Sequence, residues 1–408
     1  MLGSRERVIR AFYLEEPDKV PSFEQEIQPP TSEIVLGRVC PIANKKLNIK
    51  ILEKGYMSVG LLDKMTKDYV ELATKLKLDA VTVFTNTKPG KFSPAKRVSE
   101  KEWRDNNGNA IYYSPEGDEI SMVDIKIREK GVEGLKERID ELREPPDVDP
   151  GNFYVLRKVK KEIEKRNLNL FIFTGSILFD WHGKGWLDSA LKWFFTQPDL
   201  MLEYLDAFNK RAIEVAKIAI ESGAEAVLDG GDLAYKHGPM FSPEMYRKFI
   251  LPHQKMHSDK FHKRGAFIIN RSDGWIWQIA DDFLVNSRVD GYCEIDKSSG
   301  MDLGDLKKAY GDRICLLGNV DCGGSLVRGS ITEVAKETKD CIEKAAPGGG
   351  HILCSSNVIH SGVKPENYLA MLSACNRYGK YGPKSLRSRS SLMRSHTGKV
   401  VGEKKIKF

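Results

Sequence analysis

Eight short apolar runs rich in β-branched residues recur along the chain, at 20–23, 79–84, 170–175, 226–229, 266–270, 291–295, 314–318 and 350–354. Between them lie longer stretches, among them 59–77, 153–166, 198–221, 243–263, 331–345 and 366–379, whose apolar positions return every three or four residues. Strands that alternate with amphipathic helices build a parallel sheet covered on both faces, and eight repeats predict a closed α/β structure, a (β/α)8 TIM barrel. At 408 residues the chain exceeds the roughly 250 usual for such a barrel. The excess falls in two places. Residues 86–150 contain turn-rich, strand-like text (RDNNGNAIYYSPEGDEI) followed by an acidic, proline-bearing stretch, and read as a cap inserted into a barrel spanning 1–383. Residues 384–408 are rich in Ser, Arg and Lys without apolar period, and read as a basic, flexible tail.

That tail accounts for the charge. The net +7 of the chain invites a nucleic-acid or anionic-membrane reading, but Lys384, Arg387, Arg389, Arg394, Lys399, Lys404, Lys405 and Lys407 against Glu403 supply all of it. The barrel is neutral, so neither nucleic acid nor membrane is expected as a partner. The seven cysteines are odd in number and form no C-x-x-C pair, which speaks for a reducing, cytoplasmic setting and against a disulfide scaffold or zinc ribbon. No apolar run approaches the roughly 18 residues of a membrane span.

In a closed parallel barrel the chemistry gathers at the C-terminal strand ends, and here those positions are polar. Glu24, Gln25 and Glu26 follow the first run, Asn86 the second, and Thr174 and Ser176 the third. Asp229 and Asp232 follow the fourth, Asn270, Arg271 and Asp273 the fifth, and Glu294 and Asp296 the sixth. Asn319 and Asp321 close the seventh, and Ser355, Ser356, Asn357 and His360 the eighth. Any one of them fits an ordinary turn or helix cap; the set predicts a pocket of carboxylates and amides around one arginine. Trp181, Trp186, Trp193, Trp275 and Trp277 are read as core, and His253 and His257, four apart on a helix, as a solvated face.

Five segments carry a further signal: RERVIRAFYLEEPDKVPSF, GPMFSPEMYRKFILP, INRSDGWIW, YGDRICLLGNVDC and APGGGHILCSSNVIHSGVKPENYLAML, in order over residues 4–381. They resemble the uroporphyrinogen decarboxylase-like superfamily. The resemblance implies a distorted (β/α)8 barrel, and its members include the heme-pathway decarboxylase and corrinoid-dependent methyltransferases, many of them homodimers. Departures from the family pattern choose between these branches. Where the decarboxylase has an RQAGR-like segment and a catalytic Asp, this chain reads SFEQEIQPP and FTNTKPG, with Asn86 at the Asp position; an acidic first loop opposes an octacarboxylate substrate. Where thiol-alkylating methyltransferases hold zinc through H-x-C and a later Cys, this chain has Arg271, Asp273 and Asn357, so no zinc is expected. The S-D-G and S-S-N signatures resemble the branch that demethylates methoxylated, especially aromatic, substrates.

The expected activity is transfer of a methyl group from a small methoxylated substrate to the cobalt of a corrinoid protein. Asp229, Arg271 and Asp273 are the expected catalytic residues, because expelling a phenolate with a pKa of about 10 benefits from a proton donor or a cation. Glu26, Asn86, Asp232, Asn270, Asn357 and His360 are expected to bind the substrate. Residues 180–185 read D-W-H-G-K-G and match a D-x-H-x-x-G corrinoid signature, but follow a barrel strand without companion motifs. The corrinoid is therefore expected on a separate protein, with His182 facing it. A decarboxylase or lyase, a methylcobalamin:thiol methyltransferase and a non-catalytic binding protein remain as alternatives.

Overall fold

A computed structural model describes residues 2–84, 87–147 and 149–382. Its centre is a seven-stranded parallel sheet whose spatial order follows the sequence: β1 (Ala80–Thr82), β2 (Phe171–Gly175), β3 (Ala226–Gly230), β4 (Phe267–Arg271), β5 (Gly291–Cys293), β6 (Cys315–Leu317) and β7 (His351–Ile352). The eighth position belongs to residues 20–24. Ser22 pairs in parallel with Leu353, Phe23 N–H donates to the Leu353 carbonyl at 3.2 Å, and Asp79 N–H donates to the Ser22 carbonyl at 2.8 Å. Each of the eight apolar runs thus occupies a barrel position, and the six helical stretches correspond to helices.

Alternation along each strand sorts side chains into two layers. Phe23, Ala80, Phe173, Leu228, Ile269 and Leu317 pack inside the barrel, where helix α1 (Ser4–Phe12) closes one end with Val8, Ala11 and Phe12. The Phe12 ring stacks on Phe267 at 4.6 Å, and Arg7 ties the helix down through Asp18 (2.6 Å) and Asp79 (3.0 Å). The odd partners, such as Val227 and Ile268, face outward onto helices that include α2 (Val59–Leu76), α3 (Tyr154–Lys165), α4 (Pro198–Glu221) and α5 (Leu251–His262). Three more follow the later strands: α6 (Leu303–Tyr310), α7 (Ile331–Ala345) and α8 (Pro365–Tyr378). Local chemistry sets their ends: Ser58 accepts from Leu61 N–H to start α2, and Ser330 with Glu333 forms a capping box on α7. Pro252, which has no N–H to give, opens α5 directly after a π turn at Tyr246–Ile250.

Between β1 and β2, strands Lys96–Arg97, Glu102–Arg104, Ala110–Ser114 and Glu119–Val123 form a four-stranded antiparallel sheet. It is tied to the loop after β2, where Asp124 N–H donates to the Lys184 carbonyl at 2.8 Å. No helix among the described residues is long and apolar enough to cross a membrane.

Candidate active site

The inward register of β4 brings Arg271 to the C-terminal mouth. Gly230, its neighbour on β3, has φ 136°, and a Cβ there would stand 2.5 Å from the Arg271 carbonyl oxygen; glycine lets the two strands pass closely where the arginine enters. The guanidinium meets Glu294 Oε1 at 3.4 Å and the Ser176 carbonyl at 3.4 Å, and lies 5.9 Å from the centre of the Phe84 ring. Burial works against its charge, but Glu294 and the surrounding acids hold its pKa above the ordinary value. Glu294 reaches its place at a left-handed residue after β5, φ 63°; burial raises its pKa, Arg271 opposes the rise and Asp232 adds to it.

Two residues beyond Arg271, Asp273 accepts from the Asn357 amide at both carboxyl oxygens, 3.1 and 3.0 Å. Its pKa is pushed up to about 8, first by burial and then by Glu294 and Asp232, against the stabilising amide of Asn357. Asn357 is itself placed by Gln25, whose amide donates to its carbonyl at 3.1 Å. The mouth therefore holds a permanent cation and, sharing Glu294 and Asp232 with it as charged neighbours, a carboxyl that keeps its proton near neutral pH. That combination can donate a proton to a leaving oxygen.

The expected site residues divide. Asp273 and Asn357 come together, and Arg271 shares their acidic neighbours Glu294 and Asp232, the latter half exposed at the rim 3.7 Å from His182 Nδ1. Asp229 and Asn270 lie behind them, although the charge of Asp229 still acts on Arg271. Both occupy outward positions: Asp229 Oδ2 lies 3.0 Å from His257 Nδ1, and the Asn270 amide donates to the Phe283 carbonyl at 2.6 Å. The expectation that they act at the mouth is corrected by strand alternation, which turns them behind the wall. His257 and His253 are buried, so the solvated-face reading is corrected as well. His360 has both ring nitrogens engaged, Nε2 with the Cys322 carbonyl at 3.0 Å and Nδ1 with Gly362 N–H at 3.1 Å, and holds its own loop. Glu26 turns aside from the arginine, toward Gln28 (2.7 Å) and Lys45 (3.7 Å). Asn86 lies outside the described residues, as does the tail from 384. Trp181, Trp186 and Trp193 pack with Phe179, Phe194 and Tyr204 in the core. Asp180, first residue of the D-x-H-x-x-G match, is held by Tyr204 (2.6 Å) and Arg138 (3.0 Å).

Glu294, Gln25 and Phe84 belong to the site although only their strand-end position marked them in sequence. A zinc ion does not fit the trio at the family's zinc positions: Arg271 offers no lone pair, and the Asn357 nitrogen that points at Asp273 is a donor.

These features define an α/β barrel enzyme-like site with an acid-rich mouth. Residues 139–378 match the uroporphyrinogen decarboxylase (URO-D) family, and the chain belongs to that family. Its curated relatives include a uroporphyrinogen decarboxylase of Dechloromonas aromatica, 25% identical over 197 residues covering 47% of this chain and 52% of the relative. Another is the methylcobamide:CoM methyltransferase MtaA of Methanosarcina barkeri, 25% identical over 190 residues with the same coverages. The chain spans about half the length of the curated relatives it matches. The structure is similar to that of a methyltransferase from Methanosarcina mazei, with a TM-score of 0.66, 18% identity, and 93% of this chain and 99% of that one covered; at that identity the likeness shows the fold.

Proposed function

We propose that the protein is a methyltransferase that takes the methyl group of a methoxylated aromatic substrate and passes it to a corrinoid protein. The observation that carries the reading is the placing of Asp273, gripped at both carboxyl oxygens by the Asn357 amide two residues from a buried arginine, where burial and neighbouring acids push its pKa up to about 8. In the proposed reaction the O–CH3 bond breaks, its electron pair stays on the aryl oxygen, and the Asp273 proton neutralises that oxygen as the phenol leaves. Asp273 becomes a carboxylate and is held in that form by the two hydrogen bonds from Asn357. Arg271 supplies positive charge to the developing oxyanion. A corrinoid presented by the partner supplies the nucleophile that accepts the methyl group. The rim around the polar mouth suits a broad partner surface: Phe84, Ile177 and Tyr235, after β1, β2 and β3, are 36%, 43% and 50% exposed. His182 stands among them on the loop after β2, beside Asp232.

The decarboxylase alternative draws no support from the mouth. A polyanionic substrate would meet one guanidinium, Arg271, which faces Glu294 at 3.4 Å and lies among further acids. Incubating the protein with a reduced corrinoid protein and a panel of methoxylated rings tests the proposal. The expected result is one phenol released per methyl group found on the corrinoid. Product formed without corrinoid would shift the assignment to a lyase, and ring binding without turnover to a binding protein.

A further inference from the structure

The helix Lys45–Lys54 turns Ile49 and Leu52 onto Ala95, Trp103 and Ile111 at the inserted sheet. Its solvent side carries Lys46, Lys50 and Lys54, all exposed and four apart, which sets them in one row about 6 Å from one to the next. Like charges at that spacing oppose one another. On α2 and α7 such lysines are met by acids one turn away: Lys64 by Asp68, Lys75 by Glu71, Lys339 by Glu343 and Lys344 by Asp340. Here the one acid of the helix, Glu53, accepts from Trp103 Nε1 at 2.8 Å instead, and Lys46, Lys50 and Lys54 form no ion pair among the described residues. A similar row on α3, Arg157, Lys161 and Lys165, is interleaved with Glu162 and Glu164 and ends at the opposite face of the barrel, where β2 begins.

The uncompensated row lies beside the mouth. Lys45 opens its helix 3.7 Å from Glu26, just after the barrel segment 20–24, and beyond the helix Tyr56–Met57 pairs antiparallel with Gly90–Lys91. Gly55 has φ 59°, and a Cβ there would stand 2.5 Å from the Phe92 carbonyl oxygen; glycine lets the two segments close on each other, and Phe92 N–H donates to the Gly55 carbonyl at 2.8 Å. On this ribbon Tyr56 and Phe92 are 50% and 40% exposed, and Lys91, cross-strand from Tyr56, is exposed as well. Because α2 feeds β1, its first residue, Val59, marks the mouth side of the barrel. Lysines beside exposed aromatic rings suit an acidic partner surface. A nucleic acid or an anionic bilayer laid across this face would also meet Asp232 at the rim; a protein can set its acids against the row alone and leave the mouth to what it carries.

We propose that this row, with Tyr56 and Phe92 at its end, docks an acidic surface of the protein that carries the corrinoid. The inference rests on the methyl-transfer reading above. Calorimetric titration of the full chain with a reduced corrinoid protein, at low and at high salt, tests it. The variants are Lys46→Glu/Lys50→Glu in the row and Lys161→Glu/Lys165→Glu as an equal charge change on α3, with far-UV circular dichroism to confirm folding. The expected result is wild-type binding that weakens as salt rises, falls about tenfold or more in the row variant and is retained in the α3 variant. Methyl transfer to free reduced cobalamin, which needs no docking, is expected to be unchanged in both. Equal loss in the two variants, salt-independent binding or no wild-type binding overturns the docking row, as does capture of phosphatidylserine vesicles through the row in place of the protein. Slowed transfer to free cobalamin in the folded row variant also overturns it, because the lysines would then act on the site itself. Row-dependent binding with no methyl reaching either acceptor overturns the methyl-transfer reading and leaves the row standing. Transfer to free cobalamin without protein binding does the reverse.

Discussion

Asp229 and Asp273 both follow apolar runs of neighbouring strands, and the fold gives them opposite surroundings. Asp229 lies behind the barrel wall, fully buried against His257. Asp273 lies at the mouth, among Asn357, Glu294 and Asp232. Across β3 and β4 the pairing is Asp229 with Asn270 and Gly230 with Arg271, so one step along the ladder separates a structural layer from a chemical one. Behind the wall Asp229 meets His257 of the helix packed on it, and the Asn270 amide donates to the Phe283 carbonyl and the Ser287 hydroxyl. At the mouth, carboxyls are crowded by one another and by burial, and the cost appears as a raised pKa that a reaction can use.

The comparison breaks most sharply on Asp273→Ala. Loss of the proton donor is expected to lower methyl transfer by about 10²–10⁴-fold, with the urea midpoint barely moved, because the side chain is only partly buried and carries no helix. Asp229→Ala should do the opposite. Removing one partner of a fully buried pair is expected to cost about 3–5 kcal/mol in denaturant unfolding, while kcat of the folded fraction stays close to wild type. If Asp229→Ala abolished turnover without loss of stability, the two-layer division would fail.

The barrel was open to a reader of the sequence because parallel strands buried on both faces are written as continuous apolar runs. The same property hid which polar residue faces which way. A run such as 226–229 has no alternation to reveal that Leu228 points inward and Asp229 outward, so residue order alone groups Asp229 and Asn270 with Arg271 and Asp273. His253 and His257 carried helical spacing but no sign that a buried aspartate waits beneath one of them. Glu294 depends on a left-handed backbone position, which leaves no mark in residue order. Arg271, Asp273 and Asn357 were recognisable because family signatures pick them out together.

The finest division within the mouth concerns Asn357, whose amide donates to both oxygens of Asp273. Those bonds favour the ionised form, so they pull the Asp273 pKa down against burial and its acidic neighbours. For wild type, a mechanism that uses the protonated acid predicts a rate that falls as pH rises through about 8. In Asn357→Ala the downward pull is gone, the proton is held more tightly, and the alkaline limb moves to higher pH. The plateau rate drops at the same time, by about tenfold, because the carboxylate left after proton transfer loses roughly 1–1.5 kcal/mol of hydrogen bonding. A pH–rate profile of the two proteins separates this role from one of simple support, which would lower the rate and leave the limb in place. A wild-type rate that rises, rather than falls, as pH passes through about 8 would mean that Asp273 acts as a carboxylate, and the arginine alone would then have to stabilise the departing oxygen.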